Sequence, residues 1–263
     1  MSIVTLPMVL AVGSGGAIGL VLGLVGGGGS ILAVPLLVYL VGVSSPHVAI
    51  GTAAIAVALN AAVGLIGHAR QGTVKWNCAL VFAASGMIGS ALGAAAGKAM
   101  DGQRLLALFG IAMAGVGLSM LLAKSTDGDP SVRLTRLTAR RLLPWLLATG
   151  FAVGLLSGFF GIGGGFLIVP ALMFATGMPI TNAVGTSLVA VTTFGLTTAT
   201  SYAASGLIDW SLVGLLVGGG IAGSYAASYL GQRIAARKGL LTRLFAIGVN
   251  AVGAFVITRG LGA

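Results

Sequence analysis

The stretch GLVLGLVGGGGSILAVP at residues 19–35 returns, 135 positions later, as GLLSGFFGIGGGFLIVP at residues 154–170. Each copy is a greasy helical run, interrupted by a cluster of glycines and then resumed, with a proline five or six residues past the cluster. In a chain this apolar, the interruption falls at membrane depth. Backbone groups left unpaired in hydrocarbon are costly, so non-helical backbone survives there only when packed inside protein or lining a polar cavity. Matching interruptions in two halves of one chain are the best sequence pointer to a transport site.

Composition sets the class. Of 263 residues, 57% are hydrophobic and 7% charged, and mean hydropathy is +1.09. An ordinary soluble domain is excluded, and the chain reads as an all-α polytopic membrane protein. The 45 glycines suit close approach of helices. There is no glutamate, and the acids are Asp101, Asp127, Asp129 and Asp209, so the net charge of +10 reflects scarce acids rather than a dense basic patch. That charge reads as topology charge facing the lipid bilayer, and nucleic acid is not expected as a partner. The single Cys78 allows no internal disulfide and no metal motif, and no cofactor is expected. The opening MSIVTLPMVL lacks a basic n-region and reads as a first membrane segment, not a cleaved signal. The expected location is the bacterial plasma membrane.

Membrane segments are expected near 5–25, 31–43, 47–68, 76–97, 104–123, 143–160, 166–177, 181–204, 210–231 and 240–259. The polar, basic stretch KSTDGDPSVRLTRLTARR at 124–141 divides a first membrane repeat, 1–123, from a second, 142–263. The halves match beyond the glycine clusters. At a shift of 135, Gly19, Gly23, Pro35 and Gly42 fall on Gly154, Gly158, Pro170 and Gly177. After a one-residue slip, Gly51-Thr52, Trp76, Gly86 and Ser90 fall on Gly185-Thr186, Trp210, Gly220 and Ser224. A Trp pair and a Pro pair in one register argue for a true internal repeat.

Two topologies follow. If each glycine cluster kinks one spanning helix, the central connector and the basic loop at Arg233, Arg237, Lys238 and Arg243 land on opposite faces, against the positive-inside rule. If each cluster is the tip of a re-entrant hairpin, those loops join Arg70 and Lys75 on one face and the halves are inverted repeats. The hairpin reading is favoured, although arms of 18–21 residues are long for a half-depth hairpin and Lys98 and Arg104 are left outside. Each half therefore opens with a Gly-broken helix, re-entrant or discontinuous.

The breaks also suggest chemistry. Gly26, Gly27, Gly28 and Gly29, and Gly161, Gly163, Gly164 and Gly165, permit close approach of backbone to a ligand. A helix restarting near Ser30 or Phe166 would present free N–H groups and a positive dipole end to a small anionic substrate, with no charged side chain needed. The segments that follow carry Thr52 and Asn60 in the first half, and Thr186, Ser187, Thr193 and Thr197 in the second. Such groups can hydrogen-bond an oxyanion, whereas the plainer role for a membrane Ser or Thr is a bond back to its own helix. The repeat-related pair Thr52 and Thr186 is the preferred one. Asn60 is read as lining the path, and Asn250 as a contact between helices. No carboxylate lies at membrane depth, which argues against a cation or metal pathway. Coupling to a proton or another ion stays open. His47 and His68 are the only histidines, and both sit at segment ends.

The two blocks, in a basic membrane protein of this length, resemble the sulfite exporter TauE/SafE family of permeases. The resemblance covers essentially the whole chain and rests on Gly26, Gly28, Gly29 and Pro35 with Gly161, Gly163, Gly164 and Pro170. It implies a secondary-type permease for sulfite, an organosulfonate such as sulfoacetate, or a related small anion, working by alternating access. The alternatives are an anion channel and a permease for another small carboxylate or sulfur oxyanion. An intramembrane enzyme would need Ser157 or Ser187 to pair with His47 or His68, and no nucleophile elbow is present. The row Gly89, Gly93 and Gly97 suits a homodimer and internal packing equally.

Overall fold

The computed structural model describes residues 6–25, 27–122, 132, 134–135, 138–161, 163–234, 247–256 and 258. Gly26, Asp127, Asp129, Lys124, Arg133, Arg136, Arg237, Lys238 and Arg243 lie outside them. The described residues form helices joined by short turns. The helices are α1 (Leu6–Val25), α3 (Pro46–Arg70), α4 (Trp76–Ala99), α5 (Gly102–Leu122), α6 (Ala139–Phe160), α7 (Gly165–Thr176), α8 (Ile180–Ala203), α9 (Trp210–Ile234) and α10 (Ile247–Val256). Between α1 and α3 runs a composite element, α2, which is 3-10 over Gly27–Leu32, α over Ala33–Pro35 and π over Leu36–Val41. Helices α1, α3, α4, α6, α8 and α9 are long and apolar enough to cross a membrane. By contrast, α7 has 12 residues and reaches about 18 Å at 1.5 Å per residue, short of a hydrocarbon core of about 30 Å.

Local chemistry sets the ends. Ser45 caps α3 through its hydroxyl, which accepts from the Val48 N–H, and Pro46 follows at the first helical position. Asp101 accepts from the N–H groups of Gln103 and Arg104 at the start of α5, and Asp209 accepts from Ser211 and Leu212 at the start of α9. Both described acids are thus N-caps at helix ends. Arg140 and Arg141, which the sequence places in the connector, fall in the first turn of α6.

The core is a pair of helices, α3 and α8. Their membrane windows are 61% and 67% buried, against 33–50% for the other four long helices. They pack antiparallel: Gly51 near the start of α3 lies against Tyr202 at the end of α8 and Leu207 just beyond it, while Gly185 near the start of α8 lies against His68 at the end of α3 and Thr73 just beyond it. Around this pair the halves exchange helices. The first helix of each half packs along the fourth helix of the other, α1 on α9 and α6 on α4. Glycines make both seams. A side chain at Gly19 would run into the Gly220 carbonyl, one at Gly154 into the Gly86 carbonyl, and one at Gly158 into the Ser90 carbonyl. Backbones therefore touch directly, as small-residue stripes allow between membrane helices. The row Gly89, Gly93 and Gly97 is filled from within by Phe151, Leu155 and Phe159 of α6. Asn250 of α10 packs on Gly117 of α5, a contact between helices.

The bundle has two distinct ends. At one, Lys75 donates its N–H to Thr186, Asn182 donates to the Thr73 carbonyl, and Asn77 donates to the Leu134 carbonyl of the connector. At the other, Lys98 donates to the Ser201 carbonyl at 2.8 Å and to the Ser205 hydroxyl at 3.0 Å, and Asp209 donates its N–H to Thr52. Helix α9 starts at this second end and runs parallel to α1 toward the first.

Candidate functional site

The second glycine cluster ends one helix and starts another within four residues. Helix α6 stops at Phe160, Gly161 is left-handed at φ +67°, and Gly163 and Gly164 are left-handed at +67° and +66° before α7 begins at Gly165. Side-chain-bearing residues rarely adopt that conformation, so the turn depends on glycine. It is also deeply placed. Gly161 abuts Ile50, and Gly163 sits between Val57 and Val191, near the midpoints of α3 and α8. Gly161, Gly163, Gly164 and Gly165 are all buried. The N–H groups of Gly165 and Phe166, in the first turn of α7, have no acceptor within their own helix. No acidic residue occupies that turn, so the positive end of the helix dipole is not neutralised there.

The first cluster is built differently. Gly27, Gly28 and Gly29 lie in the 3-10 segment, where the chain stays right-handed, and Ser30 is fully buried. This segment packs against α7 and touches α3 and α8, so both breaks meet at the central pair. Gly29 sits over the backbone of Ile18 and Leu22 in α1.

The hydroxyls divide into two groups. Ser187 donates to the Val184 carbonyl, Thr193 to those of Val189 and Ala190, and Thr197 to that of Thr193, so their protons are committed to α8. Thr52 and Thr186 do something else. Each accepts a backbone N–H from the residue just before the fourth helix of the other half, Asp209 and Lys75, both at 3.0 Å. The two threonines are fully buried and stand at opposite ends of the central pair, so the structure does not bring them together.

Other polar atoms are buried with no partner. Both amide atoms of Asn60 are unpaired, although the residue is 1% exposed; the amide rests on Gly220 of α9. The equivalent place on the other side is taken by the Phe194 ring over Gly86. The Ser157 hydroxyl is unpaired and fully buried beside Gly164. Buried polar groups are nearly always satisfied, so unpaired ones call for an explanation; Ser14, His47 and Tyr202 also carry one each. Sequence reasoning places Ser157 only in the enzyme alternative; its substitution for the repeat-related Leu22 is the signal that singles it out. His47 and His68 lie at opposite ends: His47 stacks near Tyr202, and His68 pairs with the Thr73 hydroxyl. Among the described residues, neither histidine pairs with Ser157 or Ser187.

Comparison with known proteins gives a consistent picture. The family described as sulfite exporter TauE/SafE matches residues 11–256. A "probable membrane transporter protein" of Xylella fastidiosa (strain 9a5c) is 50% identical, covering 96% of this chain and 95% of its own. The "probable membrane transporter protein YunE" of Bacillus subtilis (strain 168) is 28% identical over 90% of this chain and 93% of its own. A third, the "probable membrane transporter protein MJ0441" of Methanocaldococcus jannaschii, is 30% identical over 70% of this chain and 67% of its own. No solved structure matches the chain.

Proposed function

The chain belongs to the sulfite exporter TauE/SafE family and is an integral membrane transporter, and from that premise we propose that it is a secondary-type permease for a small anion, sulfite or an organosulfonate such as sulfoacetate. The observation that carries this reading is the buried start of α7, where Gly161, Gly163 and Gly164 are left-handed and Gly163 sits between Val57 and Val191 near the midpoints of α3 and α8. An anion in a low-dielectric interior needs hydrogen-bond donors in place of water. A helix N-terminus supplies them together with about half a positive charge. The unpaired Asn60 amide adds a further donor at the central pair. No lysine or arginine lies among these groups, so the anion would meet donors without a fixed counter-charge that traps it.

Alternating access follows from how the halves are assembled. The exchange of α1 onto α9 and α6 onto α4, about an antiparallel α3–α8 pair, supports two inverted halves. The two breaks hold different backbone conformations, 3-10 in one and a left-handed turn in the other. Trading those conformations would open the central pair to one face and then the other. Arg70, Lys75, the start of α6 and the end of α9 gather at one end, which supports placing that end in the cytoplasm.

The test is uptake of labelled sulfite into liposomes holding the purified protein. Saturable uptake that is accelerated by unlabelled sulfite inside the vesicles is expected. Flux that does not saturate and shows no counterflow would replace the permease with an anion channel. No sulfite or sulfonate flux at all would overturn the substrate assignment.

A further inference from the structure

Ser157 lies in the last turn of α6, seven residues before Gly164. Its Cβ and Oγ stand where a side chain on Gly164 would go, 2.6 and 2.8 Å from that position. Gly164 is the N-cap of α7. The hydroxyl is therefore set against the helix start, not out to lipid. It is fully buried and has no hydrogen-bond partner.

Ser14 and Tyr202 share that state, but the threonines of α7 and α8 do not. Thr176, Thr192, Thr193 and Thr197 all donate to the carbonyl four residues back, the ordinary outlet for a hydroxyl in a membrane helix. Ser157 has the same option and does not take it. A buried hydroxyl without a partner is unfavourable, and the repeat-related position carries an apolar residue, Leu22, whose backbone lies beside Gly29. What differs between the halves is the break beside each residue, right-handed at Gly29 and left-handed at Gly164.

We infer that Ser157 is a ligand-binding residue, whose hydroxyl donates to an oxyanion held at the first turn of α7. The inference rests on the permease reading above and deepens it. The second half supplies the N–H groups and this hydroxyl, Asn60 of α3 is the donor of the first half, and the 3-10 segment packs against α7.

The experiment follows thermal unfolding of the purified full-length protein as sulfite and methanesulfonate are titrated, in wild type, Ser157→Ala and Ser157→Cys. A ligand that binds the folded state raises its unfolding temperature with concentration. Cysteine keeps the side-chain shape with a somewhat larger atom and replaces a strong donor with a weak one. Without anion, both variants are expected to unfold at the wild-type temperature or above, since an unpaired hydroxyl has been removed. For the same anion-induced shift, each should need about tenfold to a hundredfold more sulfite, as loss of one hydrogen bond to a charged group implies. Wild-type dose dependence in either folded variant overturns the role of Ser157 and leaves the permease reading standing. Absence of any anion-induced shift in the wild type removes both.

Discussion

At the scale of single residues, the repeat-related threonines act as ties between the halves. Thr52 and Thr186 receive the N–H groups of Asp209 and Lys75 beside the starts of α9 and α4. Removing the acceptor leaves a buried donor without a partner, which costs about 1–3 kcal/mol. Thr52→Val and Thr186→Val should each destabilise the detergent-solubilised protein by that amount in thermal or denaturant unfolding, and Thr186→Ser should recover most of it. Wild-type stability in both valine variants would remove the tie. The hydroxyl pattern was only half legible in the sequence. Spacing placed Thr186, Thr193 and Thr197 on α8, but a helical period cannot say which carbonyl or N–H stands opposite. Ser157 and Asn60 are among the residues with unpaired atoms instead; the sequence singles out Asn60, but Ser157 does not stand out by residue type.

Among the elements, the glycines separate into those that make seams and those that make the turn. Gly158→Ala pushes a methyl into the Ser90 carbonyl in the α4–α6 seam, backbone against backbone, with no flexible neighbour to yield. A loss of several kcal/mol or failure to accumulate in the membrane is expected, measured as folded yield and unfolding temperature. Gly163→Ala is different. Its new methyl would meet Val57 and Val191 at 3.4 Å, ordinary contact, and the penalty is the left-handed backbone, about 1–2 kcal/mol. That variant should fold and lose transport in the sulfite uptake assay, because the turn that aims the first N–H groups of α7 is distorted. Folded protein with unchanged uptake would detach the turn from function. Gly115→Ala in α5, where a methyl meets nothing within 4 Å, is the control and should be neutral or gain up to about 1 kcal/mol. Among the described residues, segment positions up to α9 were readable to within a few residues, since apolar runs alternate with polar turns. The 3-10, α and π composition of α2 was not, because it depends on how that segment beds against α7 and the central pair.

Across the whole molecule, the arrangement predicts which ends face which side. Gln71 and Ala204 are exposed at the two opposite ends of the bundle. In a background where Cys78, the single cysteine, is replaced by alanine, Ala204→Cys should react with a membrane-impermeant thiol reagent added to intact cells. Gln71→Cys should react only after the membrane is opened. Labelling of both from one side would sink the orientation. What the amino-acid order alone established is the part that local composition and period control: membrane class, helix positions, the duplicated glycine breaks and the family. Those features need no knowledge of neighbours, since apolar length, glycine clustering and register are properties of consecutive residues. The tertiary structure alone decided the exchange of helices between halves, the burial of α3 and α8 at the centre, and the division of hydroxyls into bonded and unpaired. Each of these depends on which side chain meets which backbone across more than a hundred residues of sequence, and close packing, not local preference, settles that.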